Sequence, residues 1–271
     1  MFAAHNVGYS SDKGVLFDAT NNITQDTNSS DTKSISWSHT SSGDDRIVLV
    51  VITVLQTEDN YTTHTRTVTY GGIAMTSLGG IHANNTNGRN WVEFFYLFSP
   101  PTGSQTVSVT VAKSSTTYYR LSGTSISYTR CKGIYGVTTG FGTEAGTVLS
   151  QTVSSEPHER IVQAFITYQA FISTAITNYN QTERYNLSAA GSGKDNAMVV
   201  GDSAGANPSV TFTATRNYDG ADYAQMAVKL TSNFIPSSVE NMSLVNQPVP
   251  SGVYGCYVTL TGAGGAGGGG A

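Results

Sequence analysis

The residues with the most chemistry in them sit in the segment QTEDNYTTHT (56–65), where Glu58 and Asp59 come shortly before His64. Two carboxylates and an imidazole at that spacing could hold a metal ion or share acid–base work. The same residues on a polar, turn-rich stretch also read simply as a solvated loop, and that is the expectation here. Asp44-Asp45 and Glu159 stand before two related strands, which Arg46 and Arg160 open. A hard cation needs six or more converging oxygens, and no DxDxDG loop supplies them, so no metal is expected. These arginines are read as strand-end caps or surface partners of Asp44 and Glu159, with His158 in the same role. GDSAG (201–205) has the outline of a serine-nucleophile loop but lacks a matching His and Asp context. Neither a phosphate loop, nor zinc spacing, nor a paired-carboxylate glycosidase pattern is present. The expectation is a protein that is not an enzyme and uses no cofactor.

Binding has more material to work with. Tyrosine dominates the aromatic residues, with 15 in the chain. Tyr118 and Tyr119 fall between two strands, and Tyr61, Tyr179, Tyr185 and Tyr218 fall in polar connections. An exposed Tyr offers an apolar ring with a polar tip, suited to stacking on a sugar face or anchoring a protein. Tyr118, Tyr119, Tyr61, Tyr179 and Tyr218 are the candidate ligand-binding residues. The competing reading is that such rings cover the core and fill strand ends.

The elements that would position these side chains are strands. Only 12% of residues are charged, about half the ~25% of ordinary soluble domains, and Thr, Ser, Asn, Gly and Tyr take their place. A net charge of −4 offers no general attraction to nucleic acid or an anionic membrane. The opening MFAAHNVGYSSDK has no apolar run of signal-peptide length, and no segment is apolar enough for insertion into a membrane. Cys131 and Cys256 lie far apart and are expected to be reduced.

The chain also repeats itself. Arg46, Ile47, Val48, Ile52 and Thr53 return as Arg160, Ile161, Val162, Ile166 and Thr167. TVTYGGIAMTSLGG (67–80) is answered by QTERYNLSAAGSG (181–193), TVSVTVA (106–112) by SVTFTAT (209–215), and TSISYTR (124–130) by AQMAVKL (224–230). A period near 100 residues is too long for a solenoid or a propeller blade. It predicts two pseudo-repeated halves of one β-sandwich, each giving strands to both sheets. Period-2 alternation places strands at SISWSH, RTVTYG, QTVSVTVA and LSGTSISYT. RIVLVVITVL (46–55) and NWVEFFYLF (90–98) are continuously apolar and predict strands covered on both sides. Gly71-Gly72 predicts a hairpin turn. The second half carries the corresponding strands at 147–153, 160–169, 183–189, 197–203, 208–216 and 222–231. AFISTAITNYN (170–180) is expected to be loop with one helical turn.

The predicted fold is therefore all-β, a jelly-roll-type sandwich over 15–232 behind an N-terminal arm (1–14). A Pro/Ser/Asn-rich linker (233–250) and a Gly-rich C-terminal segment (251–271) follow. That segment contains one short strand, VYGCYVTLTG, and reads as the opening of a longer motif. DDRIVLVVITV, VTYGGIAMTSLGG and VEFFYLFSPPTGSQTVSVTVA together resemble a jelly-roll domain of bacterial secreted proteins and of phage tail proteins. PVPSGVYGCYVTLTGAGGAGGGG resembles the start of the Gly-rich C-terminal domain of minor tail proteins from phages of actinobacteria. The resemblance implies a virion component at the tail tip, partnered by other tail-tip proteins and by itself, often as a homotrimer. It also implies a role in recognising the host surface, where a cell-envelope glycan is the expected ligand. It carries no catalytic or binding residues with it. A carbohydrate-binding module of a secreted bacterial protein is the alternative.

Overall fold

In a computed structural model, the described residues are 14–26, 30–56, 64–83, 90–113, 117–142, 146–170, 175–188, 194–219 and 221–232. The linker, the VYGCYVTLTG strand and the Gly-rich segment lie outside them. Among the described residues all regular structure is β.

The first half supplies β1 (Leu16–Asp26), β2 (Thr32–Ser41), β3 (Ile47–Gln56), β4 (Thr65–Tyr70), β5 (Ile73–Ala74), β6 (Thr76–Ala83), β7 (Asn90–Phe98), β8 (Gly103–Ala112) and β9 (Tyr118–Thr129). The second supplies β10 (Gly133–Gly142), β11 (Val148–Ser154), β12 (Glu159–Ala170), β13 (Ile176–Thr177), β14 (Thr182–Leu187), β15 (Lys194–Ala204), β16 (Ser209–Arg216) and β17 (Asp222–Thr231). Their hydrogen-bonded orders match. β1-β9-β3-β7-β6 corresponds to β10-β17-β12-β15-β14, and β2-β8-β4-β5 corresponds to β11-β16-β13. All of the strand pairings are antiparallel.

The β-sandwich and its internal repeat are present, but the strands are shared out differently from the expectation. No sheet mixes the two halves. Each half is a complete two-sheet sandwich, and the two five-stranded sheets pack back to back, giving four layers. One apolar cluster fills the first sandwich, with Trp37, Val50, Tyr70, Trp91 and Val109. A second fills the other, with Leu149, Phe165, Val199 and Phe212. A third lies between the sandwiches, joining Leu49, Val51, Phe94 and Ile126 to Ala164, Ile166, Met198, Met226 and Val228.

This third layer of contact explains the sequence. On β3, Ile47, Leu49 and Val51 face the other sandwich, while Val48, Val50, Ile52 and Val54 face their own. Both faces are covered, so all ten residues are buried and alternation vanishes. Each such side chain contributes roughly 1.5–3 kcal/mol on leaving water. β2 has one covered face and alternates accordingly.

The packing between sandwiches is quasi-two-fold. β3 meets β15 as β12 meets β7, β9 meets β15 as β17 meets β7, and β1 meets β14 as β10 meets β6. The pseudo-axis runs along the strands between the two central sheets.

Other expectations divide. The Gly71-Gly72 hairpin is there, with φ of 57° and 81°, the left-handed pair that a type I′ turn requires. β1 and β10 escaped the strand reading because LFDATNNITQD and GIYGVTTGFG are edge strands of low hydrophobicity. No helical turn occurs in the described part of 170–180. Ile176–Thr177 is a short strand against β16, and residues 171–174 lie outside the described set.

Candidate functional site

The same pairs of consecutive strand ends gather at one end of both sandwiches. In the first they are those of β1/β2, β3/β4, β6/β7 and β8/β9, and in the second those of β10/β11, β12/β13, β14/β15 and β16/β17. Their shared direction follows from a buried polar contact across the central layer. Asn196 Nδ2, near the start of β15, donates to Thr53 Oγ1 (3.1 Å) near the end of β3 and to Asn90 Oδ1 (3.2 Å) at the start of β7. Thr53 Oγ1 also donates to Asn90 Oδ1 at 3.0 Å. All three residues are fully buried, so these bonds replace water that the groups cannot reach.

At this end of the first sandwich lies a set of polar side chains that sequence reasoning read otherwise. His64 is buried rather than solvated, and its Nδ1 lies 2.5 Å from the Tyr118 hydroxyl. The two rings meet edge to face at 5.5 Å. Arg66, two residues on and inward with Val68 and Tyr70, brings its Nε 2.8 Å from Glu93 Oε2. The Ser77 hydroxyl donates to the other Glu93 oxygen at 2.5 Å. Burial pushes the Glu93 carboxyl above its usual range, opposed by Ser77 and Arg66. Two signals for this cluster were readable. A lone carboxylate interrupts the apolar run NWVEFFYLF, and Arg66 keeps the inward phase of β4. Chemically the cluster is an internal brace that fixes the roots of the connections.

The second sandwich braces its end with Arg216, which is buried and donates to the Gly146 carbonyl at 3.1 and 2.7 Å and to that of Ala221. Asn217 joins Ala175 through backbone and side chain.

The candidate tyrosines are scattered. Tyr118 opens β9 with its ring fully buried, so it is a core residue of the loop-bearing end and not a ring offered to a ligand. The physical reason is its pairing with Gln56 of β3 and Ser30, which draws it into the sheet. Tyr118→Phe should lower stability by about 1 kcal/mol by removing the buried hydrogen bond between its hydroxyl and the His64 ring. Chemical denaturation measures this directly, and an unchanged midpoint would show that the bond contributes nothing. Tyr61 and the Tyr119 side chain lie outside the described residues. Tyr179 sits toward the opposite end, its hydroxyl bonded to Glu183 and accepting from Asn186 Nδ2 at 3.1 Å. The Glu183 bond raises its pKa. Tyr185 is a buried residue of β14 rather than a loop residue. Among the described candidates, Tyr218 is the one that is both at the loop-bearing end and exposed.

The remaining expectations resolve as follows. Arg46 donates to the Pro100 carbonyl (3.3 and 3.1 Å), capping a strand end as read, and Asp45 pairs with Lys132 at 2.5 Å. Arg160 does not pair with Glu159. It donates to Asp202 at 2.8 Å, so the Asp of GDSAG is a buried counter-ion within β15. Cys131 is a free, buried thiol whose pKa burial pushes up to about 12. Among the described residues no three His, Cys, Asp or Glu side chains are placed to hold a metal ion. Cys256, Glu58 and Asp59 lie outside the described residues.

No protein-family model, curated protein or solved structure matched this chain. The functional reading therefore stands on the geometry above and on the residues themselves.

Proposed function

We propose that this chain is a non-enzymatic structural component of a phage tail tip, a minor tail protein whose loop-bearing end contacts the host cell surface. The observation that carries the reading is the gathering of eight pairs of strand ends, four in each sandwich, at one end of a doubly covered β body. Segments anchored at such ends stand on a rigid base, where binding residues are commonly carried. The order β1-β9-β3-β7 facing β2-β8-β4-β5 supports a jelly-roll winding in each half. The tail motif PVPSGVYGCYVTLTGAGGAGGGG supports the placement in a virion. Several copies act together, and the protein works outside the cell.

The exposed ring of Tyr218 also favours the second reading, a carbohydrate-binding module of a secreted bacterial protein, since both readings end in a glycan. Purified chain is incubated with sedimented actinobacterial cell envelopes and with envelopes of an unrelated bacterium. Selective retention on the former is expected, and Tyr218→Ala should reduce it by about tenfold at unchanged thermal stability. Absence of retention on every envelope overturns surface recognition. Equal retention of the variant removes Tyr218 from the contact.

A further inference from the structure

The internal repeat lets one core serve as a control for the other, because the strand registers match residue by residue. β6 and β14 each carry a bulge after the same pair, Ser77–Phe95 in the first half and Glu183–Gly201 in the second. Phe95 therefore corresponds to Gly201. Their partners on the central strands, Val50 and Gln163, correspond too. So do Met75 and Gln181, which immediately precede β6 and β14. TVSVTVA and SVTFTAT align Val109 with Phe212, and the residues paired with these are Ile35 and Gln151.

In the first sandwich Ile35, Val50, Met75 and Phe95 all belong to the apolar cluster. In the second the same four places hold Gln151, Gln163, Gln181 and Gly201. A layer of hydrocarbon has become three amides and a glycine. Around it the core stays apolar, with Leu149, Val153, Phe165, Val199 and Phe212.

The three glutamines are buried, at 4%, 0% and 6% exposure. Gln151 Nε2 donates to the Thr138 carbonyl of β10 at 3.0 Å, and Gln163 Nε2 donates to Gln151 Oε1 at 3.1 Å. There the chain of bonds stops. Gln163 Oε1 and both polar atoms of the Gln181 amide have no hydrogen-bond partner among the described residues. These atoms share one place. Gln163 and Gly201 are direct cross-strand partners, so their Cα–Cβ directions leave the sheet on one face, about 5 Å apart. A Cβ built on Gly201 would stand 2.6 Å from Gln181 Cγ and 2.9 Å from its Cδ. The Gln181 side chain thus lies across the glycine, beside Gln163, and only the missing side chain at 201 admits it.

We propose that Gln163 and Gln181 are joined through buried water, and that the second sandwich is built around this hydration site. Left dry, the three amide atoms would each lose their hydration with nothing to replace it. The first half shows that the same fold accepts hydrocarbon at all four places, so the amides are not demanded by the architecture. Buried waters ordinarily make about three hydrogen bonds to otherwise unsatisfied polar groups. Gln163 offers an acceptor, and Gln181 an acceptor and a donor, which suits water because it both donates and accepts. Trading Phe and Val for Gly and Gln also removes side-chain volume from the layer. Phe212 in place of Val109 fills part of that space, and water fills the rest.

The full chain, isotope-labelled at its glutamine amides, tests this by transfer of magnetisation from water to side-chain amide protons. Contact with a long-lived resident water is expected at the Gln181 amide, and its absence there overturns the site. Thermal unfolding of Gln163→Val, Gln181→Met and their combination is the companion measurement, since these install the residues of the first half. Each single variant strands the amide at the other end of the bridge and should melt below wild type. The combination removes both ends, so its loss should fall well short of the two single losses added. Additive losses, or single variants as stable as wild type, overturn the water bridge. If a variant does not fold, magnetisation transfer in the wild-type chain decides.

Discussion

Asp202→Asn is expected to destabilise the protein by about 3 kcal/mol, lowering its melting temperature by roughly 6–12 °C. Asp202 is fully buried in β15. It accepts from Arg160 at 2.8 Å, from Arg184 at 2.7 and 3.2 Å, and from the Tyr128 hydroxyl of the first sandwich at 2.7 Å. The amide keeps the shape but removes the charge, so two guanidinium groups lose their counter-ion while mostly buried. Their remaining exposure, 20% and 14% of the side chains, holds the effect at the low end of the roughly 3–5 kcal/mol of a fully enclosed pair. Because Tyr128 and Asp202 belong to different sandwiches, the variant also weakens the contact between them. Calorimetry should show a broadened or split transition where wild type gives one. Tyr128→Phe is the companion variant, removing one hydrogen bond for about 1 kcal/mol. A variant Asp202→Asn as stable as wild type would show that the cluster is incidental.

Acid should act on the first sandwich through His39. This imidazole is buried between the sheets, 1% exposed, with Nδ1 2.9 Å from the Ser125 hydroxyl, which also accepts from Trp37 Nε1 at 2.8 Å. Burial lowers its pKa from 6.5 to about 4, and the nearby Asp18 carboxylate only partly opposes this. The folded state thus favours neutral His39 while the unfolded chain takes up a proton near pH 6.5. Above that pH the group has no effect. Between 6.5 and 4 stability falls, by about 3 kcal/mol in all at 1.36 kcal/mol per pH unit. For Asp18, burial raises the pKa, but the bonds from Ser42 and Ser127 outweigh it and the net shift is downward, so its protonation adds to the loss at lower pH. Glu93, whose pKa is raised, works the other way. Denaturation midpoints of wild type and His39→Gln between pH 7 and 4 check this. The slope should be shallower in the variant, and parallel curves would exclude His39 as its source.

The strands were legible wherever burial leaves a periodic or continuous apolar trace. β2, with one covered face, alternates, and β3, with two, does not. The pairing of halves was legible as repeated residues, but their arrangement was not. A run such as RIVLVVITVL shows that both faces are covered without showing whether its own sandwich or another covers the second. β1 and β10 were hidden because edge strands need little apolar content. At the candidate site the failure had one cause. Polar and aromatic residues near strand ends were read as exposed, yet His64 and Tyr118 satisfy each other and are buried together. Composition shows that Tyr and His are present, but such pairing is a property of the folded chain.

The four-layer order has a consequence for synthesis. β1 to β9 are complete when the ribosome has passed Thr129, and the first sandwich can then close its own two sheets. The outer face of its central sheet, with Ile47, Leu49, Val51, Phe94 and Ile126, has no cover until β12, β15 and β17 emerge. At ~5–20 residues per second, the roughly 100 residues still to come leave that greasy sheet bare for about 5–20 s. During this interval, nascent chains on one polysome carry identical sticky faces, each matching the partner that its neighbour also lacks. Production of the protein should therefore respond more to translation rate and chaperone supply than its finished, covered form would suggest.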